Sequence, residues 1–201
     1  MPLSHLIGIA LLAVGLAQGD PSWKFSHVAL VVQNSGALRP YGPAIVSFLD
    51  RLLAAKPEAA ELTVVGFERK FQQLDGGRFR RKAIIFQPRT EDAELLKEVF
   101  GVLEFTGPSP VYDAVLQALG AGKPGLILLL SNGLDNASET DFDELLKQAG
   151  QAGIPVVTVY FPMQAPAGGE SRMRRLAKAT GGKYIDIRTK DSFDQLLAAL
   201  E

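Results

Sequence analysis

The 201-residue sequence predicts an α/β fold: a doubly wound, mainly parallel six-stranded sheet with one antiparallel edge strand and helices on both faces. Three observations lead there. From Phe25 onward, short strand-like runs alternate with helix-length amphipathic segments, the pattern of repeated crossover units. The central runs, such as Leu126-Ile127-Leu128-Leu129-Leu130, are continuously apolar, as parallel strands covered on both faces require. Asp75-Gly76-Gly77 separates two adjacent strand candidates with no helix between them, so that pair is expected to form an antiparallel hairpin.

Taken in order, residues 6–16 are an apolar run of Leu, Ile, Ala and Gly, followed by small residues at Ala17 and Gly19 and then by Asp20-Pro21. The run is short for a membrane span, which needs about 20 apolar residues. Residues 1–19 read as a signal peptide, with Ala17 and Gly19 at the −3 and −1 positions, although Met-Pro-Leu-Ser-His lacks the usual cation. An N-terminal helix is the competing reading. Export makes the protein secreted or periplasmic and residues 20–201 a single domain with no membrane span.

Within that domain, strands are predicted over 27–32, 62–67, 79–86, 126–130, 156–161 and 184–187. Helices are predicted over 41–56, 93–103, 111–120, 141–152, 171–180 and 192–200. Glu91-Asp92 and Asp141-Phe142-Asp143-Glu144 place carboxylates in first helical turns, where the helix dipole favours them. Gly150 and Gly153 are expected to end one helix and Gly181-Gly182 another.

Composition narrows function. Hydrophobic residues make up 47% of the chain, enough for a layered core, and the formal net charge is −1, which offers no general attraction to nucleic acid or anionic lipid. The absence of cysteine removes disulfides, thiolate metal sites and thiol nucleophiles. The sole histidine beyond the leader, His27, begins a strand and is therefore remote from the strand ends where open α/β sheets bind ligands. A serine nucleophile would have no base within reach there. Gly107-Pro108-Ser109-Pro110-Val111 is not a nucleophile elbow, and Gly120-Ala121-Gly122-Lys123 precedes a strand, so it is not a phosphate loop. Arg78, Arg80, Arg81 and Lys82 on the hairpin read as charged protection of an edge strand, and Arg172, Arg174, Arg175 and Lys178 as a solvated helix face. Neither cluster is expected to carry aromatics placed to stack on bases.

Two turns at carboxyl ends of strands stand out: Gln33-Asn34-Ser35-Gly36-Ala37 and Ser131-Asn132-Gly133-Leu134-Asp135. With Ser109-Pro110-Val111-Tyr112-Asp113-Ala114 and the terminal run from Arg174 to Tyr184, they resemble a von Willebrand factor A domain over about residues 25–200. The resemblance implies a metal-ion-dependent adhesion site built from D-x-S-x-S, a Thr before a helix, and T-D-G. Here Gln33 stands in the first Asp place, Ser35 is kept, Ala37 replaces a hydroxyl, Ser109 takes the Thr place and Asn132 the second Asp place. Mg²⁺ sheds water reluctantly and is normally held through carboxylates, so two amides in their places imply a degenerate, metal-free site and no cofactor. Asp135 as a substitute ligand, with nearby oxygens, would give weak divalent binding. Two uses remain open. Gln33, Asn34, Ser35, Ala37, Ser109, Asn132 and Asp135 form either a rim that binds another protein without an ion or a vestigial site closed on itself. A hydrolase using Asp113 or Asp135 is the enzymatic alternative; their ordinary role is capping and solvation.

Overall fold

The computed structural model describes residues 23–163 and 168–201; the proposed leader lies outside the described residues. Six strands are present, β1 (His27–Val32), β2 (Glu61–Gln73), β3 (Phe79–Thr90), β4 (Leu126–Ser131), β5 (Val156–Tyr160) and β6 (Tyr184–Asp186). They form one sheet in the order β3-β2-β1-β4-β5-β6. Every neighbouring pair is parallel except β2 and β3, so the doubly wound sheet with an antiparallel edge is the observed architecture. The helices are α1 (Gly42–Ala54), α2 (Ala93–Gly101), α3 (Val111–Leu119), α4 (Phe142–Ala152), α5 (Gly169–Thr180) and α6 (Ser192–Leu200).

Side-chain alternation along the strands divides the core. Val28, Leu30 and Val32 of β1, with Leu126, Leu128 and Leu130 of β4, pack under α1, α2 and α6 through Leu49, Leu96 and Leu196. The intervening Ala29, Val31, Ile127 and Leu129 face α3, α4 and α5 through Val115, Leu145 and Leu176. Continuous apolar runs thus reflect two buried faces. Burial of each such leucine or valine stabilises the fold by about 1.5–3 kcal/mol.

Local chemistry sets the ends. Asp92 accepts from the backbone N–H of Glu94 and Leu95, and Asp141 from that of Glu144, capping α2 and α4. Gly153 closes α4 with φ +66°, a left-handed conformation that favours glycine; Gly150 lies inside the helix and does not end it.

The main departure from expectation is the hairpin. β2 runs to Gln73, well past the predicted 67, while β3 begins at Phe79 as predicted and runs on to Thr90 beside Leu62 in the sheet body. Val31 of β1 pairs with Val65, so residues 67–73 of β2 extend beyond the end of β1, roughly 20 Å at strand rise. Beyond Phe67 the arm pairs only with its own partner strand and needs no apolar face, so hydrophobic patterning stopped too early. A 3-10 turn over Gly36–Tyr41 also precedes α1, where only a loop was expected.

Candidate functional site

Because β1 and β4 are adjacent and parallel, the turns that leave them meet at one end of the sheet, and the segment entering α3 lies against both. The centre of the meeting is the side-chain amide of Gln33, which has no exposure to solvent. Its Nε2 donates to Ser35 Oγ and to Ser109 Oγ, each at 3.0 Å. Its Oε1 accepts from Ser131 Oγ at 2.6 Å and from the backbone N–H of Asn132 at 3.0 Å. Ser109 Oγ donates in turn to Ser35 Oγ at 2.8 Å. All four hydrogen-bonding positions of the amide are therefore used.

Asn132 is nearly fully buried as well. Its Oδ1 accepts from Leu134 N at 3.0 Å, and its Nδ2 donates to the Met163 thioether. Gly133, at φ +71°, and Gly169 at the start of α5 meet backbone to backbone; a Cβ on either would overlap the opposite strand of backbone. That close approach seats α5 against the third turn.

Asn34 does not join the cluster. Its Oδ1 accepts from Phe67 N at 2.7 Å, and its Nδ2 donates to the Phe67 and Glu104 carbonyls at 3.2 and 3.3 Å. The amide imitates one more peptide of β1 and carries the pairing of β2 a step further. Its expected place on the rim is corrected: a side chain next to Gln33 on an extended backbone points to the opposite face.

The two candidate catalytic carboxylates are tied to backbone. Asp135 Oδ2 accepts from Tyr112 N at 3.0 Å and Ser138 Oγ at 2.6 Å, while Oδ1 accepts from Ala137 and Ser138 N–H. Burial pushes its pKa above the ordinary carboxylate range, against the pull of those donors. Asp113 accepts from the N–H groups of Glu139 and Thr140 at 2.9 and 3.2 Å. The pair clamps the first turn of α3 to the loop after β4.

Beside this layer opens a pocket of about 420 Å³, lined chiefly by Ala37, Ser109, Asp135, Asn136, Met163 and Arg172. Ala37, Ser109 and Asp135 thus reach the pocket among the predicted residues, whereas Gln33, Ser35 and Asn132 form the packed layer beneath. Sequence reasoning missed Asn136, Ser138 and Met163, named Ser131 in its turn without giving it a role, and read Arg172 as part of a solvated helix face. Asn136 Oδ1 accepts from Ser109 N at 2.7 Å and so fixes the serine. The Asp135-Asn136-Ala137-Ser138 run is a recognisable side-chain-capped turn and gave a usable signal; Met163, from a distant strand end, gave none.

Arg81 is also corrected. Expected as a solvated edge charge, it is only 2% exposed. Its guanidinium donates to the carbonyls of Glu68 at 2.5 Å, Thr106 at 2.6 Å and Pro108 at 2.9 Å, and lies over the Phe67 ring. Desolvation lowers its pKa to about 10, which leaves it charged at neutral pH. It binds the arm to the segment that carries Ser109.

The sequence matches no protein-family model and no curated protein. Solved structures do match. The vWF domain of the type V pili tip protein Mfa5 from Porphyromonas gingivalis superposes with a TM-score of 0.65 at 8% identity, over 86% of this chain and 93% of that one. The VWA domain of SpRpn10 gives 0.56 at 10% identity, over 86% and 94%. Proximal thread matrix protein 1 from the mussel byssus gives 0.60 at 12% identity, over 87% of this chain and 44% of that one. At these identities the likeness is one of fold.

Proposed function

We propose that this chain, which has the von Willebrand factor A fold, is an exported, non-enzymatic module that binds another protein through the rim of a degenerate, metal-free adhesion site. The observation that carries the reading is the Gln33 amide. Its Nε2 points hydrogens at the oxygens of Ser35 and Ser109, the two hydroxyls that would otherwise face a cation. A hard divalent ion needs oxygen lone pairs, preferably anionic ones, and a donor group in the centre is the opposite of a ligand. The donor set therefore does not fit Mg²⁺. Among the described residues there is also no group of three His, Cys, Asp or Glu side chains placed to hold a metal.

Binding is supported over hydrolysis by the occupation of Asp113 and Asp135 with backbone N–H groups, which leaves neither carboxylate disposed to activate water. The buried layer serves as a rigid floor, and the pocket above it offers a partner side chain a shaped recess with Arg172 and Asn136 at its edge. Signal cleavage near residues 18–20 delivers the single domain to a secreted or periplasmic location, where a rim of this kind meets partners outside the cytoplasm.

A photo-crosslinking residue at Ala37, compared with one at the remote Lys123, tests the reading in the native host. A discrete adduct from Ala37 that persists in chelator supports it. An adduct abolished by chelator overturns the metal-free site. With no adduct at Ala37, the structural-domain alternative, in which the site is abandoned, replaces it. N-terminal sequencing of the same material checks export: a chain retaining residues 1–19 would refute it.

A further inference from the structure

The hairpin arm is charged in a way that edge protection does not explain. From Glu68 to Lys82, six Lys and Arg residues stand against two carboxylates. That is a formal +4 in a chain of net −1, leaving −5 on the rest. Protection of a sheet edge calls for charge along the exposed side of the sheet itself. Yet Ala83-Ile84-Ile85-Phe86-Gln87 of β3, within the sheet body, carries none, and the one cation farther along, Arg89, is paired with Glu61 of β2. The cations crowd onto the overhang instead. Arg69 and Arg80 each meet a single exposed carboxylate, Glu104 and Glu139, in pairs of small energetic weight. Lys70, Arg78 and Lys82 are exposed and have no ion-pair partner among the described residues.

The arm rises from the same end of the sheet as the Gln33 layer. Arg81 and Asn34 fix it there by holding the segment of Glu104, Thr106 and Pro108. Phe71, 47% exposed, packs edge-on against Phe79 at 6.2 Å between centroids and leans on Gly107. The two aromatics, which sequence reading did not connect, stiffen the arm against the loop of Ser109.

We propose that this basic arm is a docking surface for a short acidic protein segment lying along it, next to the rim. The distribution of charge selects that partner among polyanions. The tip, residues 72–77, carries Asp75 and no cation, so a tip-first approach to an anionic lipid surface meets a carboxylate before any lysine. A long nucleic acid laid along the arm continues over the acidic body within a Debye length of about 8–10 Å. Phe71 is a single exposed ring set edge-on to Phe79, whereas a strand of bases calls for successive rings along its path. A segment of a few carboxylates matches the arm and stops before the body.

The inference rests on the rim reading only for its place beside a partner-binding face, and the experiment separates the two. Fluorescence anisotropy follows a labelled decapeptide of alternating Ser and Glu, with a Ser–Gln decapeptide as the neutral control, at 50 and 200 mM salt. The acidic peptide binds, weakens at higher salt, and loses at least fivefold in affinity in the Lys70→Ser, Arg78→Ser, Lys82→Ser variant. Removing equal charge elsewhere, through Lys123→Ser, Lys178→Ser and Lys190→Ser, changes Kd less than twofold. All six positions are exposed, and circular dichroism confirms folding. Equal weakening by both sets, or no preference for Glu over Gln, overturns the proposal. So does tighter arm-dependent binding of a dT 20-mer or of phosphatidylglycerol vesicles, which assigns the arm to another polyanion. Arg172→Trp, with the crosslinking residue kept at Ala37, reads the rim alone: loss of adduct there with peptide binding intact leaves both readings standing. Intact adduct with peptide binding intact refutes the rim and spares the arm.

Discussion

Gln33→Ala isolates the amide at the centre of the site. The substitution deletes four hydrogen bonds, two given to Ser35 and Ser109 and two accepted from Ser131 and Asn132. Each is worth about 0.5–1.5 kcal/mol net, so the bonds alone set a range of about 2–6 kcal/mol. Ser35 and Ser109 retain their mutual bond at 2.8 Å, and Ser131 Oγ still accepts from Gly133 N at 2.9 Å, which places the loss toward the lower half. The buried N–H of Asn132 is left without its acceptor, and an unsatisfied buried donor costs about 1–3 kcal/mol. We expect a loss of about 3 kcal/mol, or roughly 6–12 °C in Tm for a domain of this size. Urea unfolding followed by circular dichroism reads it, and a cycle with Ser109→Ala reads the coupling, expected at about 1 kcal/mol. A loss below about 1 kcal/mol with additive single variants would refute the amide as the element that closes the site.

Three further outcomes follow from the same geometry. Mg²⁺ at millimolar concentration leaves the Tm of the wild type unchanged, whereas Gln33→Asp, Ala37→Ser, Asn132→Asp together lower the metal-free Tm and recover about 2.7 kcal/mol once Mg²⁺ or Mn²⁺ reaches about a hundred times Kd; a chelator-sensitive wild type contradicts this. Arg81→Lys loses about 2 kcal/mol, because an ammonium cannot span the Glu68, Thr106 and Pro108 carbonyls that the guanidinium joins, and a variant with wild-type urea midpoint would show that the fork is dispensable. Burial, and then the Arg89 charge, lower the pKa of His27 against the opposing pull of Glu61, so the unfolded chain binds the proton first. His27 therefore contributes stability that is complete above about pH 6.5 and is lost as pH falls through that value toward the folded pKa, with a slope of at most about 1.4 kcal/mol per pH unit. Denaturation curves from pH 7.5 to 5 for wild type and His27→Gln should diverge in that window, and parallel curves would exclude the effect.

What the sequence revealed and what it concealed divide along physical lines. The buried strands were legible because both of their faces meet apolar helices, so Leu126-Ile127-Leu128-Leu129-Leu130 announces itself by composition alone. Gln33, Ser35 and Asn132 were legible because parallel crossovers return strand ends to one side, so polar residues just past two neighbouring strands must meet, whereas Ser109, ahead of α3, was legible only through the family resemblance. Half of the arm was hidden: its returning strand is legible from Phe79, but β2 beyond Phe67 is held only by its partner's backbone, and its side-chain pattern carries no signal of pairing. Asn34 and Arg81 were misplaced for a related reason. Both are polar residues that bond to main-chain atoms, Asn34 to Phe67 and Glu104, Arg81 to Glu68, Thr106 and Pro108. Main-chain partners are available at every position and leave no mark in sequence, whereas partnership between side chains does. The same two residues tie the cationic arm to the segment bearing Ser109, so the proposed rim and the proposed docking arm share one hydrogen-bonded base. A partner that engages both therefore needs to order only its own segment, and the ordering entropy of the arm has already been met by folding.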